Sequence, residues 1–275
     1  MSKLSRFWRK HLEQTWVRGS APVSLNTWQQ AFIKWNAEQR GISVSESSAH
    51  YEQSCAALRG GHAGRHFKVY CELYHDLCRP FIGRGAAEIQ QAYLLHAPLH
   101  FLRMLSYAVP SWPAFQPTLV ERCRARSPVI VDFGCGLAQI SITLALHCRD
   151  QGGSPQLFLA DLPTPQLDFL RWYCLRLQLP ATFAPCAADG PLPEFPAADV
   201  CIANEVFEHV HDPMRPLLAL QQAARPGGLL LTNLADHSEE FLHVSPRLSP
   251  LRERLLEEGW RELQEHRLFE KASAS

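Results

Sequence analysis

The chain has 275 residues with 46% hydrophobic and 20% charged side chains, a composition that predicts a globular core and excludes disordered, collagen-like and coiled-coil proteins. Nine cysteines without a C-x-x-C pair, and no apolar run long enough for a membrane span or a signal peptide, indicate a reduced, cytoplasmic protein. The net charge of zero divides unevenly, because residues 1–126 carry 16 basic and 8 acidic residues, whereas residues 127–275 carry 11 and 19. The basic charges are scattered singly, which argues against a nucleic-acid partner. Either the two oppositely charged parts of the chain lie against each other, or the basic part attracts a small anionic substrate.

Residues 1–126 show helical spacing of apolar residues and no strand-like alternation. The predicted helices lie around residues 4–12, from a cap at Ser24 or Asn26 to Gly41, at 67–81, and at 86–107 with a bend at Pro98. A Pro-rich break is expected at 110–117. We interpret residues 1–126 as a helical lid or substrate-binding region.

After Ser127 short apolar runs alternate with amphipathic helices, which is typical of a parallel sheet covered on both faces. The predicted strands are 129–133, 157–160, 181–187, 200–203 and 229–233, followed by a single last strand within 262–269. The predicted helices are 139–149, 165–177, 213–224 and 249–258. The predicted fold class is therefore α/β, with a doubly wound, mostly parallel sheet and an N-terminal all-helical extension.

The turn after the first predicted strand carries the strongest chemical signal. The sequence Asp132-Phe133-Gly134-Cys135-Gly136 ends that strand and opens a helix, where small residues let a ligand approach the backbone. Ligands of such sheets bind where the strand order reverses, at the carboxyl ends of the strands. Gln139 stands where a dinucleotide-binding loop needs Gly or Ala, so NAD fits poorly. Asp161 ends the second strand, where a carboxylate can accept hydrogen bonds from ribose hydroxyls.

These segments, in this order, resemble the class I S-adenosylmethionine-dependent methyltransferases of the small-molecule type. The resemblance covers about residues 127–260 and rests on Asp132–Gly136, Asp161, the run Glu208-His209-Val210-His211-Asp212-Pro213 and Pro226-Gly227-Gly228. It implies a Rossmann-like domain over residues 127–275 with S-adenosylmethionine as cofactor. Two departures stand out: Ala138 replaces a third glycine and needs a negative φ, and the chain after Gly259 has room for one strand where the family has two.

The resemblance also implies roles for individual residues. Gly134 and Gly136 would line the methionine part of the cofactor, and Asp161 would hold the ribose hydroxyls. Leu162 would lie against adenine, Asp189 would accept from the adenine amino group, and Asn204 would meet the methionine end. Asp132 either touches the ligand or only fixes the loop. The full expected cofactor-binding set is Asp132, Gly134, Cys135, Gly136, Gln139, Asp161, Leu162, Asp189 and Asn204.

The implied reaction is methyl transfer to a small acidic or zwitterionic metabolite. If the acceptor must lose a proton, Glu205 and His209 at the strand ends are the candidate catalytic residues. His96 and His100 have metal-ligand spacing, but Pro98 interrupts the helix and no third ligand follows, so no metal is expected. One alternative is an intramolecular cyclase that converts S-adenosylmethionine to azetidine-2-carboxylate and methylthioadenosine. A second is a non-catalytic methyltransferase-like binding protein. The sequence predicts neither a membrane partner nor an oligomeric state.

Overall fold

The computed structural model describes residues 27–57, 85–105, 112–123, 127–187, 190–236 and 243–273. The chain divides into two compact units, Met1–Leu73 and Tyr74–Ser275. The helices predicted around 4–12 and at 67–81 lie outside the described residues. The interpretation of residues 1–126 as a lid stays a prediction.

In the first unit two helices pack together, α1 at Thr27–Arg40 and α2 at Val44–Ala57. The helix predicted to stop at Gly41 is confirmed, and Gly41 has a φ of +63°. Helix α2 was not predicted, because its sequence is polar and shows no apolar stripe. Its start does carry a local signal, since the backbone N–H of Glu46 donates to the side chain of Ser43, as in a capping box.

The second unit holds three further described helices and a seven-stranded sheet with its own helices. In chain order its elements are α3 Ala86–Leu95, α4 Ala97–Leu105, α5 Trp112–Cys123, β1 Val129–Phe133, α6 Gln139–Asp150, β2 Gln156–Asp161, α7 Pro165–Leu177, β3 Ala181–Pro185, β4 Ala198–Ala203, a 3-10 turn Phe207–His209, α8 Met214–Ala223, β5 Ala224–Thr232, α9 Ser249–Glu257, β6 Arg261–Gln264 and β7 Leu268–Glu270. None of the helices described is long and apolar enough to cross a bilayer.

The strand order is β3-β2-β1-β4-β5-β7-β6, with β1 to β5 parallel and β7 antiparallel to both of its neighbours. The predicted α/β fold with a mostly parallel sheet is confirmed. The chain runs outward from β1 to β3 and then returns to place β4 on the other side of β1. The crevice created by this reversal lies at the carboxyl ends of β1 and β4, where ligands of such sheets bind.

The prediction of one last strand is wrong. Residues 261–270 form a hairpin of two short strands, and its turn places His266 at a φ of +57°. The sequence around His266 contains no glycine, asparagine or aspartate that would mark a hairpin turn. It therefore predicts one continuous strand. The sheet therefore has both of the last strands that the resemblance implies.

Two predictions ahead of the sheet also need correction. Of the Pro-rich segment 110–117, residues 112–117 are helical rather than a break, because α5 begins at Trp112 and contains Pro117. Pro113 lies in the first turn of α5, where a helix does not use the N–H that proline lacks. The predicted helix 86–107 is two helices that meet at His96, and Pro98 occupies the second position of α4. Helix α4 packs on α7, with the rings of Phe101 and Phe169 5.4 Å apart.

Candidate active site

The loop after β1 bends over two glycines with positive φ, +66° at Gly134 and +52° at Gly136. The N–H groups of Gly134 and Cys135 both donate to the carbonyl of Ala160, at 2.8 and 3.2 Å, and so attach the loop to the end of β2. A Cβ added to Gly134 would lie 2.6 Å from Val206 Cγ2, and one added to Gly136 would lie 2.2 Å from Met104 Cε. Neither position has room for a side chain.

Ala138 corrects a further expectation. It precedes α6 with a φ of +50°, whereas a negative φ was predicted for an alanine at this position. Its N–H donates to the carbonyl of Cys135 at 2.6 Å, which closes the turn that begins at the glycines. Ala138 therefore adopts a left-handed conformation, which costs an alanine about 1–2 kcal/mol more than a glycine. Burial raises the pKa of the Cys135 thiol well above its usual value, so this thiol stays protonated.

Asp161 and the glycine loop are in direct contact. Oδ2 of Asp161 accepts a hydrogen bond from the N–H of Gly136 at 2.5 Å, and Oδ1 accepts one from the N–H of Leu162 at 2.7 Å. Burial raises the pKa of Asp161, whereas the two backbone donors lower it. Each carboxylate oxygen can accept more than one hydrogen bond, so both can still accept from a diol.

Asp132 is buried at the end of β1, with 4% of its surface exposed. Its Oδ2 accepts a hydrogen bond from the hydroxyl of Ser141 at 2.6 Å, and this contact ties β1 to the first turns of α6. Burial raises the pKa of Asp132 to about 7; the Ser141 hydrogen bond lowers it, and the nearby Asp161 carboxylate adds to the rise. Of the two roles that the sequence left open for Asp132, these contacts support fixing the loop.

This pKa predicts how stability depends on pH. Because the pKa of Asp132 is raised in the folded state, its protonation stabilises the fold fully below about pH 4, and that stabilisation is lost as the pH rises through about 7. In the wild type, this titration should lower the free energy of unfolding as the pH rises from 5 to 7. We expect Asp132→Asn, which cannot titrate, to make that decrease smaller by about 1 kcal/mol per pH unit, since one titrating group contributes up to ~1.4 kcal/mol per unit. Urea denaturation across that range measures the slope, with Asp212→Asn, at an exposed position, as control. Identical slopes for wild type and Asp132→Asn would contradict the assignment.

Glu205 begins the segment after β4 and has a φ of +57°. Its Oε1 accepts from Arg267 Nη1 at 2.7 Å and from Asn233 Nδ2 at 2.9 Å. Arg267 belongs to the turn between β6 and β7, so the last hairpin reaches the end of β4. Asn204 lies at the edge of this network, 3.5 Å from Arg267 Nη1. The carboxylate of Glu205 is therefore held in one orientation by two donors.

His209 and its neighbours form a second polar group close by. Its Nδ1 is 3.0 Å from the hydroxyl of Tyr93 on α3, and its ring is 4.8 Å from that of His243. Glu208 is 1% exposed. The pKa of Glu208 is raised to about 8, mainly by burial and also by the Glu205 carboxylate, whereas Arg267 acts to lower it. Near neutral pH this carboxyl therefore carries a proton in the absence of a cation.

The structure thus brings most of the expected site residues to one edge of the sheet. Gly136 bonds directly to Asp161, Gly134 and Cys135 bond to the preceding Ala160, and Leu162 follows directly. Gln139 is the first residue of α6. Asp189 lies outside the described residues.

Sequence reasoning missed four residues of this region, Tyr93, Met104, His243 and Arg267. None of them belongs to a recognisable motif. The contact between Tyr93 and His209 joins positions 116 residues apart, and no local pattern in the sequence marks such a pair.

Comparisons with known proteins agree with this geometry. Residues 131–232 match a family described as a methyltransferase domain. The fold is similar to that of an O-methyltransferase family protein from Burkholderia thailandensis, with a TM-score of 0.51 and 14% identity over 99% of this chain and 97% of that one. Mitomycin 7-O-methyltransferase MmcR aligns with a TM-score of 0.49 and 14% identity, over 98% of this chain and 96% of that one. No curated protein matches the sequence.

Identities this low show a shared fold alone, so the family rests on the matching domain. That match runs from within β1 to the end of β5 and contains the glycine loop, Asp161 and the Glu205–His209 segment. Asp161 ends β2 with both carboxylate oxygens oriented by backbone donors, an arrangement that fits the ribose hydroxyls of a nucleoside cofactor. Residues 131–232 therefore form a methyltransferase domain of the class I type, and the match indicates S-adenosylmethionine-dependent methyltransferase activity with S-adenosylmethionine as cofactor.

Proposed function

We propose that this enzyme transfers the methyl group of S-adenosylmethionine to a small acidic or zwitterionic metabolite. The observation that carries the proposal is the packing of Val206 on Gly134, where an added Cβ would lie 2.6 Å from Val206 Cγ2. Val206 stands between Glu205 and His209, so this contact holds both polar groups beside the cofactor loop. An acceptor bound there would meet the methyl donor and a proton acceptor together.

The cofactor supplies an activated methyl group on a sulfonium when it is bound. We assign its methionine part to the backbone of Gly134 and Gly136, and its ribose hydroxyls to Asp161, with Leu162 against adenine. The N–H donors of Gly136 and Leu162 fix both oxygens of Asp161 before the ribose arrives. A carboxylate oriented in advance loses little side-chain entropy on binding, which favours affinity.

On the acceptor side, Glu205 and His209 have different surroundings. Arg267 and Asn233 both contact Oε1 of Glu205, so Oε2 is the oxygen that can orient an ammonium or hydroxyl group. The hydroxyl of Tyr93 orients the ring of His209 through Nδ1, and we assign Nε2 as the atom that meets the acceptor. Methyl transfer needs mainly alignment and exclusion of water, so these two residues position the acceptor and take its proton.

The preference for an acidic or zwitterionic acceptor rests on the charge of the chain. The excess of eight basic residues in 1–126 would attract an anion, whereas the domain that holds the cofactor is acidic. The described cysteines form no disulfide, which agrees with the proposed location in a reducing cytoplasm.

Product analysis tests the proposed reaction. The enzyme is incubated with S-adenosylmethionine, first alone and then with a panel of amino acids and hydroxy acids. We expect S-adenosylhomocysteine to form only when an acceptor is present. Methylthioadenosine formed without any acceptor would instead identify the intramolecular cyclase, and binding without any product would identify a non-catalytic binding protein.

Substitutions in the Glu205–His209 segment separate turnover from cofactor binding. We expect Glu205→Gln and His209→Ala each to lower kcat by about 10²–10⁴-fold, the usual contribution of a positioned acid or base. Their affinity for S-adenosylmethionine should stay within a factor of about three, since neither residue is assigned to the cofactor. His211→Ala is the matched control, because His211 is exposed two residues from His209. Normal turnover in both variants would show that proximity alone drives the reaction.

A further inference from the structure

A carboxylate and two imidazoles converge behind the acceptor side of the site. One ligand atom from each of Glu208, His209 and His243 lies within 4.8 Å of the others. Glu208 and His209 belong to the 3-10 turn, and His243 belongs to the segment that precedes α9. No metal was predicted from the sequence, where histidine pairs such as His96 and His100 have ligand spacing but lack a third ligand. His243 lies too far along the chain from His209 for any ligand spacing to be recognised.

Backbone hydrogen bonds hold the two segments together. The N–H groups of Val244 and Ser245 both donate to the carbonyl of Glu208, at 2.8 and 3.0 Å. The hydroxyl of Ser245 donates to the carbonyl of Val210 at 2.7 Å. These bonds place His243 next to Glu208 independently of its side chain, so the cluster is part of the fold and does not depend on surface rotamers.

Glu208 supplies an independent sign of a bound cation. Its side chain is 1% exposed, and its buried Oε2 has no hydrogen-bond partner. A buried carboxylate oxygen without a donor costs several kcal/mol unless a cation or proton compensates it. His209 Nε2 lies 3.9 Å from Glu208 Oε1, so a nitrogen lone pair and a carboxylate oxygen face the same small space.

Tyr93 provides the outer contact that metal-binding histidines usually have. Its hydroxyl is 3.0 Å from Nδ1 of His209. When the Tyr93 oxygen accepts a hydrogen bond from Nδ1–H, the proton is fixed on that nitrogen and Nε2 is left as a ligand. This is the tautomer that a metal on the Glu208 side requires.

We propose that Glu208, His209 and His243 bind a first-row divalent cation such as Zn²⁺. Two imidazoles with one carboxylate suit these metals better than Mg²⁺ or Ca²⁺, which prefer oxygen ligands alone. Ligand atoms around a tetrahedral Zn²⁺ lie about 3.5 Å apart for bonds of about 2.1 Å, so the side chains close by about 1 Å on binding. Three protein ligands leave an open position.

The open coordination position would give the metal a part in the proposed methyl transfer. This step of the inference rests on the proposed function. An acceptor oxygen bound to the metal would be held beside Val206 and the cofactor loop and would pass its proton more readily to the carboxylate of Glu205. His209 then acts as a ligand and orients the acceptor through the metal. Metal binding itself is independent of which acceptor is used, and it can be measured without turnover.

Calorimetric titration with Zn²⁺ tests the site on the untagged full chain after removal of metals with a chelator. We expect one Zn²⁺ per chain, and at least a tenfold loss of affinity in Glu208→Gln and His243→Asn. His211→Ala, at an exposed histidine, should bind as the wild type does. Titration with Co²⁺ should give visible d–d bands without a thiolate charge-transfer band, which separates this site from the cysteines.

The outcomes distinguish this proposal from the proposed function. No Zn²⁺ binding by the wild type would mean that a proton shared with Glu205 neutralises Glu208, and it would overturn the site. Unchanged binding in Glu208→Gln would also overturn it, and this isosteric variant decides the matter if His243→Asn fails to fold. Zn²⁺ binding that the variants lose, together with no S-adenosylhomocysteine from any acceptor, would support the site and contradict the proposed reaction.

Discussion

Replacing Gly134 with alanine is expected to raise the Kd for S-adenosylmethionine at least 100-fold. The added Cβ would lie 2.6 and 2.7 Å from the two methyl groups of Val206, at distances that real Cβ atoms do not show. Val206 is β-branched and cannot swing both methyl groups away, so the loop itself must move. The positive φ of Gly134 adds about 1–2 kcal/mol of strain, and overpacking adds about 1–3 kcal/mol. Calorimetry measures the affinity, and thermal unfolding measures the strain.

Two companion variants separate the steric overlap from the backbone strain. Gly152→Ala places the same methyl group at a φ of +86° with nothing within 4 Å, so it should lower stability by about 1 kcal/mol and leave cofactor affinity unchanged. Val206→Ala in the Gly134→Ala background removes the two methyl groups that overlap and should recover part of the affinity. Wild-type affinity in Gly134→Ala would show that the cofactor does not approach this loop.

Asp161→Ala is expected to weaken S-adenosylmethionine binding at least tenfold. The substitution removes the acceptor for two backbone donors, Gly136 and Leu162, and the acceptor that we assign to the ribose hydroxyls. Hydrogen bonds to a charged group contribute about 1.5–3 kcal/mol each, and a tenfold change needs only about 1.4 kcal/mol. The loss therefore exceeds tenfold unless the ribose binds elsewhere.

Asp168→Ala is the matched control for this prediction. Asp168 is an exposed carboxylate on α7, paired only with Arg171 three residues away, and its loss should leave cofactor affinity unchanged. Circular dichroism should show that both variants keep the sheet. Equal affinities for Asp161→Ala and Asp168→Ala would remove Asp161 from the cofactor site.

The centre of the sheet could be predicted from the sequence, because buried parallel strands are short apolar runs with polar ends. Strand β1 and helix α7 have the predicted bounds, and β2 extends one residue further at each end. The sequence also predicts that the glycine loop and Asp161 lie close together, because each stands at the carboxyl end of a strand in one parallel sheet. Their contact through the N–H of Gly136 then follows from strand register.

The remaining features depend on contacts that no local pattern encodes. Helix α2 is polar and is held by hydrogen bonds such as that from Ser47 to the carbonyl of Ile33. The last hairpin is hidden because its turn uses His266 at a positive φ. The partners of Glu205 and His209 lie far from them along the chain. Arg267, which contacts Glu205, follows β6, whereas Tyr93, which contacts His209, precedes β1.

The position of β7 in the sheet determines when the enzyme can become active during its own synthesis. Strand β7 lies between β5 and β6 although it follows both along the chain, and the turn before it carries Arg267 to Glu205. Domains generally fold as units during synthesis. Glu205 therefore acquires its ion pair only after residues 267–270 have been translated and inserted into the sheet. A nascent chain that lacks this hairpin cannot orient Glu205, so the acceptor side of the site is completed only when the sheet is closed.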